Sequence, residues 1–437
     1  MENAAATRVP EGSSLLEAAR NIAPDLIELR RDLHRHPELS YQEKRTADIA
    51  ANALASLGLE VRRGLAGTGV VGELVIGEDG TAGEESGAAG GRSGTAGGEG
   101  ATAGGKSGAV GRTIAIRADM DALPIQEESD VPYASTAAGI MHACGHDAHT
   151  SALIGAARLL VQASREGRLP PGRIRFLFQP SEEQMDAEGK SGGRRMVEEG
   201  ALHGVDAVVG SHVGAHLDPG KIYVREGPIF GGSDELEVTV RGRSAHAARP
   251  HEGVDALVLA AQGVVAVQQA VSRRIDPMEG GVVTFGTIQG GRAMNVLADR
   301  VTLTGTLRYF SLDVRDRLRD AVRAAFNGLE AHGAEVEVRV IPGYPPVVND
   351  AGATARVRQG LSDLLGPDHI QEVEPVLLAE DFSYLAQEAP GVFFWVGAGL
   401  PDRREHHHPR FDIDESAISL AAAALAGAAV TLLDEPR

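Results

Sequence analysis

Three short runs in this chain, residues 174–178, 207–210 and 392–396, are apolar almost from end to end, and stretches of helical periodicity such as residues 150–164 lie between them. A strand that is apolar on both faces needs cover on both, because successive side chains point to opposite sides. That constraint selects an α/β sheet with helices on each face. Other segments agree with it. Leu26, Leu29 and Leu33, then Ile49, Leu54 and Leu57 beyond Pro37, recur at helical spacing. Residues 67–76 and 113–117 read as further strands.

The rhythm changes between residues 233 and 341. There the pattern predicts strand 235–241, helix 254–271, strand 282–288, strand 300–309, helix 312–332 and strand 335–341. The order β-α-β-β-α-β is that of the ferredoxin-like split unit. The expected architecture is therefore an open mixed sheet with helices on both faces, interrupted by an inserted ferredoxin-like α+β domain. Its first part spans residues 1–230, the insertion 231–343, and the second part 344–437. Residues 78–112 form a Gly/Ala/Ser/Thr tract without periodicity, read as a disordered insertion in the loop between two strands.

Charge and cysteine content narrow the setting. The formal net charge is −19, and such a surface repels a phosphate backbone, so no nucleic-acid partner is expected. Cys144 is the only cysteine, which excludes an intrachain disulfide and fits a reducing compartment. Residues 1–21 contain no apolar core or basic cluster of a signal peptide. The apolar stretch 418–433 is short and broken by Gly427, and reads as a buried helix and not a membrane span. A cytoplasmic protein without a membrane partner is the expectation.

Three literal motifs lack the context their chemistry needs. Gly67-Thr-Gly69-Val-Val-Gly72 matches a dinucleotide fingerprint, but a strand follows where a helix should. Residues 100–107 match a phosphate-cradling loop but lie in the low-complexity tract. Gly189-Lys-Ser191-Gly-Gly193 matches a nucleophile elbow without a strand before it. In a chain with 55 glycines such matches are cheap.

A fourth constellation is coherent. Cys144 and His146 sit in Met141-His-Ala-Cys-Gly-His-Asp-Ala-His149, just before a helix. Glu182 and Glu183 follow strand 174–178, His212 follows strand 207–210, and His407 lies after strand 392–396. Open α/β sheets place their sites at the carboxyl ends of strands. Thiolate, imidazole and carboxylate together suit zinc or a similar divalent ion. Taken singly, a buried Cys, a C-x-H pair or a Glu-Glu pair is commonly structural; the shared placement carries the argument. Five donors exceed one open tetrahedral zinc, and two ions with a shared ligand account for them better. With paired carboxylates, one can bind metal while its neighbour moves protons.

At this point the sequence resembles the amidohydrolase branch of the aminoacylase/carboxypeptidase metallopeptidase family, which contains hippurate hydrolases, indoleacetyl-amino acid hydrolases and N-acetyl-diaminopimelate deacetylases. The resemblance runs from Arg30-Arg-Asp-Leu-His-Arg-His-Pro-Glu38 through Arg117-Ala-Asp-Met-Asp-Ala-Leu-Pro124, Gln179-Pro-Ser-Glu-Glu183, Gly242-Arg-Ser-Ala-His246 and Ala379-Glu-Asp-Phe382 to Pro409-Arg-Phe-Asp-Ile-Asp-Glu415. It implies Cys144, His146, Glu183, His212 and His407 as ligands of two divalent ions, with Cys144 bridging. Zinc is the expected metal, with manganese, cobalt or nickel as alternatives. It implies Glu182 as general base and acid, and His246 as an oxyanion-stabilising histidine, often supplied by a partner subunit of a homodimer formed through the inserted domain. Asn295 and Arg308 are implied as anchors for the carboxylate of a small N-acyl amino acid substrate. His407 is chosen from His406-His407-His408 because the family block reads His-x-Pro. Where the wider family has His-x-Asp, this chain has Arg117-Ala118-Asp119, so neither Arg117 nor Asp119 is expected to bind metal. His34, His36, His142 and His149 are read as structural or surface residues. A dipeptidase or exopeptidase with the same metal site, or a non-catalytic binding protein on this fold, are the rival readings.

Overall fold

The computed structural model describes residues 12–77 and 111–434; residues 78–110 of the low-complexity tract lie outside them. In chain order the first part contains α1 (Gly12–Arg35), α2 (Lys44–Ser56), β1 (Glu60–Leu65), β2 (Gly69–Ile76), β3 (Thr113–Asp119), α3 (His146–Arg165), β4 (Gly172–Gln179), α4 (Gly192–Glu198), β5 (Ala207–Gly214), β6 (Ile222–Tyr223) and β7 (Gly227–Phe230). The middle part contains β8 (Gly232–Arg241), α5 (Ala256–Arg274), β9 (Gly281–Gly290), β10 (Arg300–Tyr309), α6 (Leu312–Asn327) and β11 (Glu335–Pro342). The chain ends with β12 (Val347–Asn349), α7 (Ala351–Leu365), β13 (Ile370–Gln371), α8 (Phe382–Glu388), β14 (Gly391–Gly397) and α9 (Ser416–Leu433).

The large sheet has the order β1-β2-β4-β3-β5-β14-β6-β13. β4, β3, β5 and β14 run parallel at its centre, and β2 and β6 flank them antiparallel. Every residue of β3, β5 and β14 is buried, as strands covered on both faces must be. Alternate residues feed two cores. Ile114, Ile116, Val209 and Phe394 pack against α1, α3, α7 and α9, while Ala115, Leu177, Val208 and Phe393 pack toward α4 and α8. α9 is apolar and long enough to cross a membrane, but it is packed inside the fold, and its alanines let α1, α3 and α7 approach it closely. β14 enters the sheet beside β5 although the whole middle part separates them in sequence.

The middle part forms its own antiparallel sheet, β11-β8-β10-β9, with α5 and α6 on one face. This is the ferredoxin-like arrangement, inserted between β7 and β12, which pair with each other. Its strands alternate between buried and open positions, as one-sided sheets do, and enclose a separate core of Leu236, Val238, Val240, Leu303, Val322 and Phe326. Both helices start on side-chain caps. Asp255 accepts from the N–H groups of Leu257 and Val258, and Ser311 from that of Val314. At its base, the Ser233 N–H donates to Tyr344 O (2.9 Å) and the Gly343 N–H to Ser233 O (3.0 Å), tying the two connecting segments together.

Candidate active site

The carboxyl ends of the central strands converge on a buried network of charges. Arg117 of β3 is fully buried. It meets Asp119 at 2.7 Å, Asp381 at 2.9 Å, Glu380 at 3.0 Å and the Gln179 side chain at 2.9 Å. Burial opposes its charge, but Glu380, Asp119 and Asp381 outweigh that and hold its pKa above the ordinary range. The second oxygen of Asp119 takes His149 Nδ1 at 2.6 Å, and His149 Nε2 accepts from the Val213 N–H at 2.9 Å. Both oxygens of Asp119 and both nitrogens of His149 are thus engaged within the protein.

Asp121, just beyond β3, organises the next layer. One of its carboxylate oxygens accepts the Glu182 N–H (3.1 Å), and the other accepts the Glu183 N–H (3.0 Å) and the Ser40 hydroxyl (2.6 Å). His146 Nδ1 lies 2.9 Å from its backbone carbonyl, which fixes the ring and turns Nε2 toward the site. Sequence reasoning missed this residue, although it stands in the block Arg117–Pro124. Glu43 was missed too; it accepts the Ser181 N–H at 2.9 Å. So was Tyr344, whose hydroxyl donates to the Glu182 carbonyl at 2.6 Å. Ser181, which precedes Glu182, has φ +46°, and His407 has φ +58°. Such strained backbones persist only where surrounding contacts over-determine them.

His146 is the first residue of α3. Gly145 before it has φ +94°, and a Cβ there would meet Val213 Cγ2 at 2.4 Å. This left-handed step brings Cys144 and His146 to one place. Potential ligand atoms of Cys144, His146 and His212 lie within 4.8 Å of one another, and so do those of Cys144, Glu183 and His407. Cys144 belongs to both groups. His212 stands inside β5 and not after it, which corrects the strand end expected at residue 210. Val213 and Gly214 continue the ladder by pairing with Val396 and Gly397 of β14, a partner no local pattern reveals. His407 Nε2 lies 3.3 Å from Glu183. Its neighbours are used elsewhere, His406 on the Val213 carbonyl (2.9 Å) and His408 on the Arg410 N–H (3.1 Å).

The electrostatics favour a bound cation. Burial, with His149 and His406 nearby, holds His212 well below the ordinary imidazole range, so it is neutral and able to ligate. Burial pushes the Cys144 thiol up, and Glu183 and Glu182 push it further. Burial opposes charge on His146, but Asp119, Asp121 and Glu183 outweigh it and raise its pKa to about 10. Glu182 is held well above the usual carboxylate range by burial, then by Glu380 and Glu183. Among the described residues, His146 Nε2 and Glu183 Oε1 are buried and make no hydrogen bond, although the His407 ring lies 3.3 Å from Glu183 Oε1. Buried polar atoms are rarely left so, and the donor set around them fits divalent metal.

These groups open into a cavity of about 750 Å³, lined by Cys144, Glu182, Glu183, His212 and His407. Phe230, Leu377, Leu378 and Trp395 form an apolar wall, and Arg308 of β10 reaches in from the inserted unit. Arg308 is half-buried, and desolvation lowers its pKa. His246 and Asn295 are not part of this lining. They sit side by side on the exposed surface of the inserted unit, where the Ala247 N–H donates to Asn295 O at 3.0 Å. His34 is buried between Asp147 (2.7 Å) and Glu127 (3.4 Å), a structural placement, and His36 is exposed.

A deep pocket of thiol, imidazole and paired carboxylates at the strand ends of an α/β sheet is the site of a hydrolase acting on amides. The chain belongs to peptidase family M20/M25/M40, whose profile matches residues 115–431. It is 36% identical to an N-acetyl-L-cysteine deacetylase of Bacillus subtilis, over 94% of this chain and 88% of that protein. It is 35% identical to thermostable carboxypeptidase 2 of Saccharolobus solfataricus, over 91% of this chain and 93% of that protein. Among solved structures, it superposes with a TM-score of 0.76 on a Bacillus subtilis dinuclear metal binding peptidase of the M20 family. That pair is 33% identical and covers 95% of this chain and 99% of the other.

Proposed function

We propose that this protein is a cytoplasmic amidohydrolase that cleaves N-acyl amino acids to a carboxylate and a free amino acid with two divalent ions, zinc by preference. The observation that carries the reading is the pair of donor groups sharing Cys144, with Glu182 within the same reach of His146 and Glu183. Cys144, His146 and His212 would hold one ion, and Cys144, Glu183 and His407 the other. Bound there, the ions would supply the positive charge that polarises an acyl carbonyl and makes water a better acid. Glu182 takes the proton of the attacking water and delivers it to the leaving nitrogen, a role for which its raised pKa suits it. Among the described residues Arg308 makes no ion pair; it faces the cavity and anchors the substrate carboxylate, while Asn295, exposed beside His246, would join it from a second copy. His246 stabilises the oxyanion from the inserted unit of a second copy, in keeping with its exposed position on this one.

The test is amine release from N-acetyl-amino acids, N-benzoyl-amino acids and dipeptides, before and after chelation and with metals added back. Loss on chelation and recovery with a divalent ion is expected, with acyl-amino acids preferred. Preference for dipeptides would favour the exopeptidase reading. Glu182→Gln should keep its metal while turnover falls by roughly 10²–10⁴-fold; near-normal turnover would remove Glu182 from the role.

A further inference from the structure

The cavity wall carries a second set of donors that the reaction above leaves unused. His216, Glu405 and His406 all line it, and one potential ligand atom from each lies within 4.8 Å of the other two. His216 comes from the turn after β5, and Glu405 and His406 from the segment between β14 and α9. Only the fold brings them together.

His406 is oriented as a ligand. His406 donates from Nε2 to the Val213 backbone carbonyl at 2.9 Å, which fixes its tautomer and leaves the Nδ1 lone pair free. His212 is held on the same carbonyl through Nδ1 at 2.8 Å, and His146 on that of Asp121 at 2.9 Å. His406 therefore shares the anchoring of the inner imidazoles while lying outside their two groups. Among the described residues, the His216 ring makes no hydrogen bond and the Glu405 carboxylate makes no ion pair. The two imidazole rings lie 6.2 Å apart at T-shaped inclination beside Trp395. Two imidazoles and one carboxylate form a zinc-binding set with an open fourth position.

We propose that His216, Glu405 and His406 form a third divalent-cation site at the rim of the cavity. Zinc fills it after the inner pair, since it has no thiolate and one exposed ligand. An ion there narrows the approach to Glu182, so excess zinc inhibits the enzyme.

Equilibrium dialysis of the metal-free full chain against stepped free zinc, with bound zinc measured by atomic emission, tests this directly. The parent protein is expected to reach a plateau one ion per chain above the double variant His216→Ala/His406→Leu. Over that last step only the parent loses turnover, relative to its own maximum. Equal plateaus overturn the proposal; equal plateaus at two ions leave the inner centre intact, and a shared plateau below two counts against the inner centre as well. Glu405→Gln, at an exposed side chain, provides the same comparison should the double variant fail to fold. His408→Ala is the control, because that ring lies outside the triad. Loss of the last ion in this variant would assign it to the exposed histidine run and overturn the proposal.

Discussion

The strand ends of the large sheet and the surface of the inserted unit handle polar residues in opposite ways. At the strand ends, Arg117, Asp119, Asp121 and His149 are buried, and each is held by partners from at least one other element. On the inserted unit, His246 and Asn295 stand in solvent with only local contacts. The first region is preorganised at a high desolvation cost, met by dense pairing. The second carries no such cost, because its polar groups stay in water. Breaking the buried charge network should therefore cost stability, and changing the exposed pair should leave stability alone.

The sharpest way to break the contrast is Arg117→Met. It leaves Asp119, Glu380 and Asp381 as buried carboxylates without their cation, and a loss of roughly 3–5 kcal/mol in urea unfolding is expected. A loss below about 1 kcal/mol would mean that the network is not what holds the strand ends. The counterpart is His246→Ala. Its melting temperature should stay near that of the parent, as for an exposed residue, while turnover falls by roughly 10²–10³-fold. Mixing this variant with Glu182→Gln, each nearly inactive alone, should restore part of the activity if the histidine acts on a second copy. No recovery after subunit exchange would place its action within one chain.

Arg308 belongs to the inserted unit but faces the cavity, so it tests the boundary between the regions. Arg308→Ala should raise KM by roughly 10–100-fold for substrates with a free carboxylate, and leave the matching carboxamides unaffected. An equal effect on both would remove it as the carboxylate anchor. The smallest effect concerns pH. Burial, then Asp121, raises the Glu43 pKa to about 7. Folding therefore favours its protonated form, and this contribution is full below the ordinary carboxylate range and is lost as the pH rises through about 7. Metal-free parent protein should lose a few degrees of melting temperature relative to Glu43→Gln between pH 5 and pH 8. A difference that is flat across this range would show that the carboxyl does not titrate there.

Much of this was legible because burial on two faces leaves a plain mark. β4, β5 and β14 read as apolar runs and β3 as a further strand, and the split unit read element by element because one-sided strands and amphipathic helices have different periods. β1 was not legible: an exposed edge strand containing Arg62 and Arg63 carries no such mark. Cys144, His146, Glu183, His212 and His407 were legible as candidates because each lies near the end of a sheet strand or the start of a helix. The supporting residues were not. Asp121 holds groups 61 and 62 positions away, Glu43 one 138 away and Tyr344 one 162 away, and no local pattern encodes such partners.

The sequence by itself determined the layered sheet, the inserted unit and the residue types of the site, since these follow from hydrophobic period and from the chemistry of thiol, imidazole and carboxylate. Tertiary structure alone decided which donors meet. β14 lies beside β5 only because the sheet closes over the insertion, and that pairing extends β5 through His212 to Gly214. The buried Arg117 then offsets the charge of Asp119 on its own strand and of Glu380 and Asp381 from one distant segment, and Asp121 fixes Glu182 and Glu183 through their backbone N–H groups. Electrostatic interactions act through space at a few ångströms, whatever the separation along the chain.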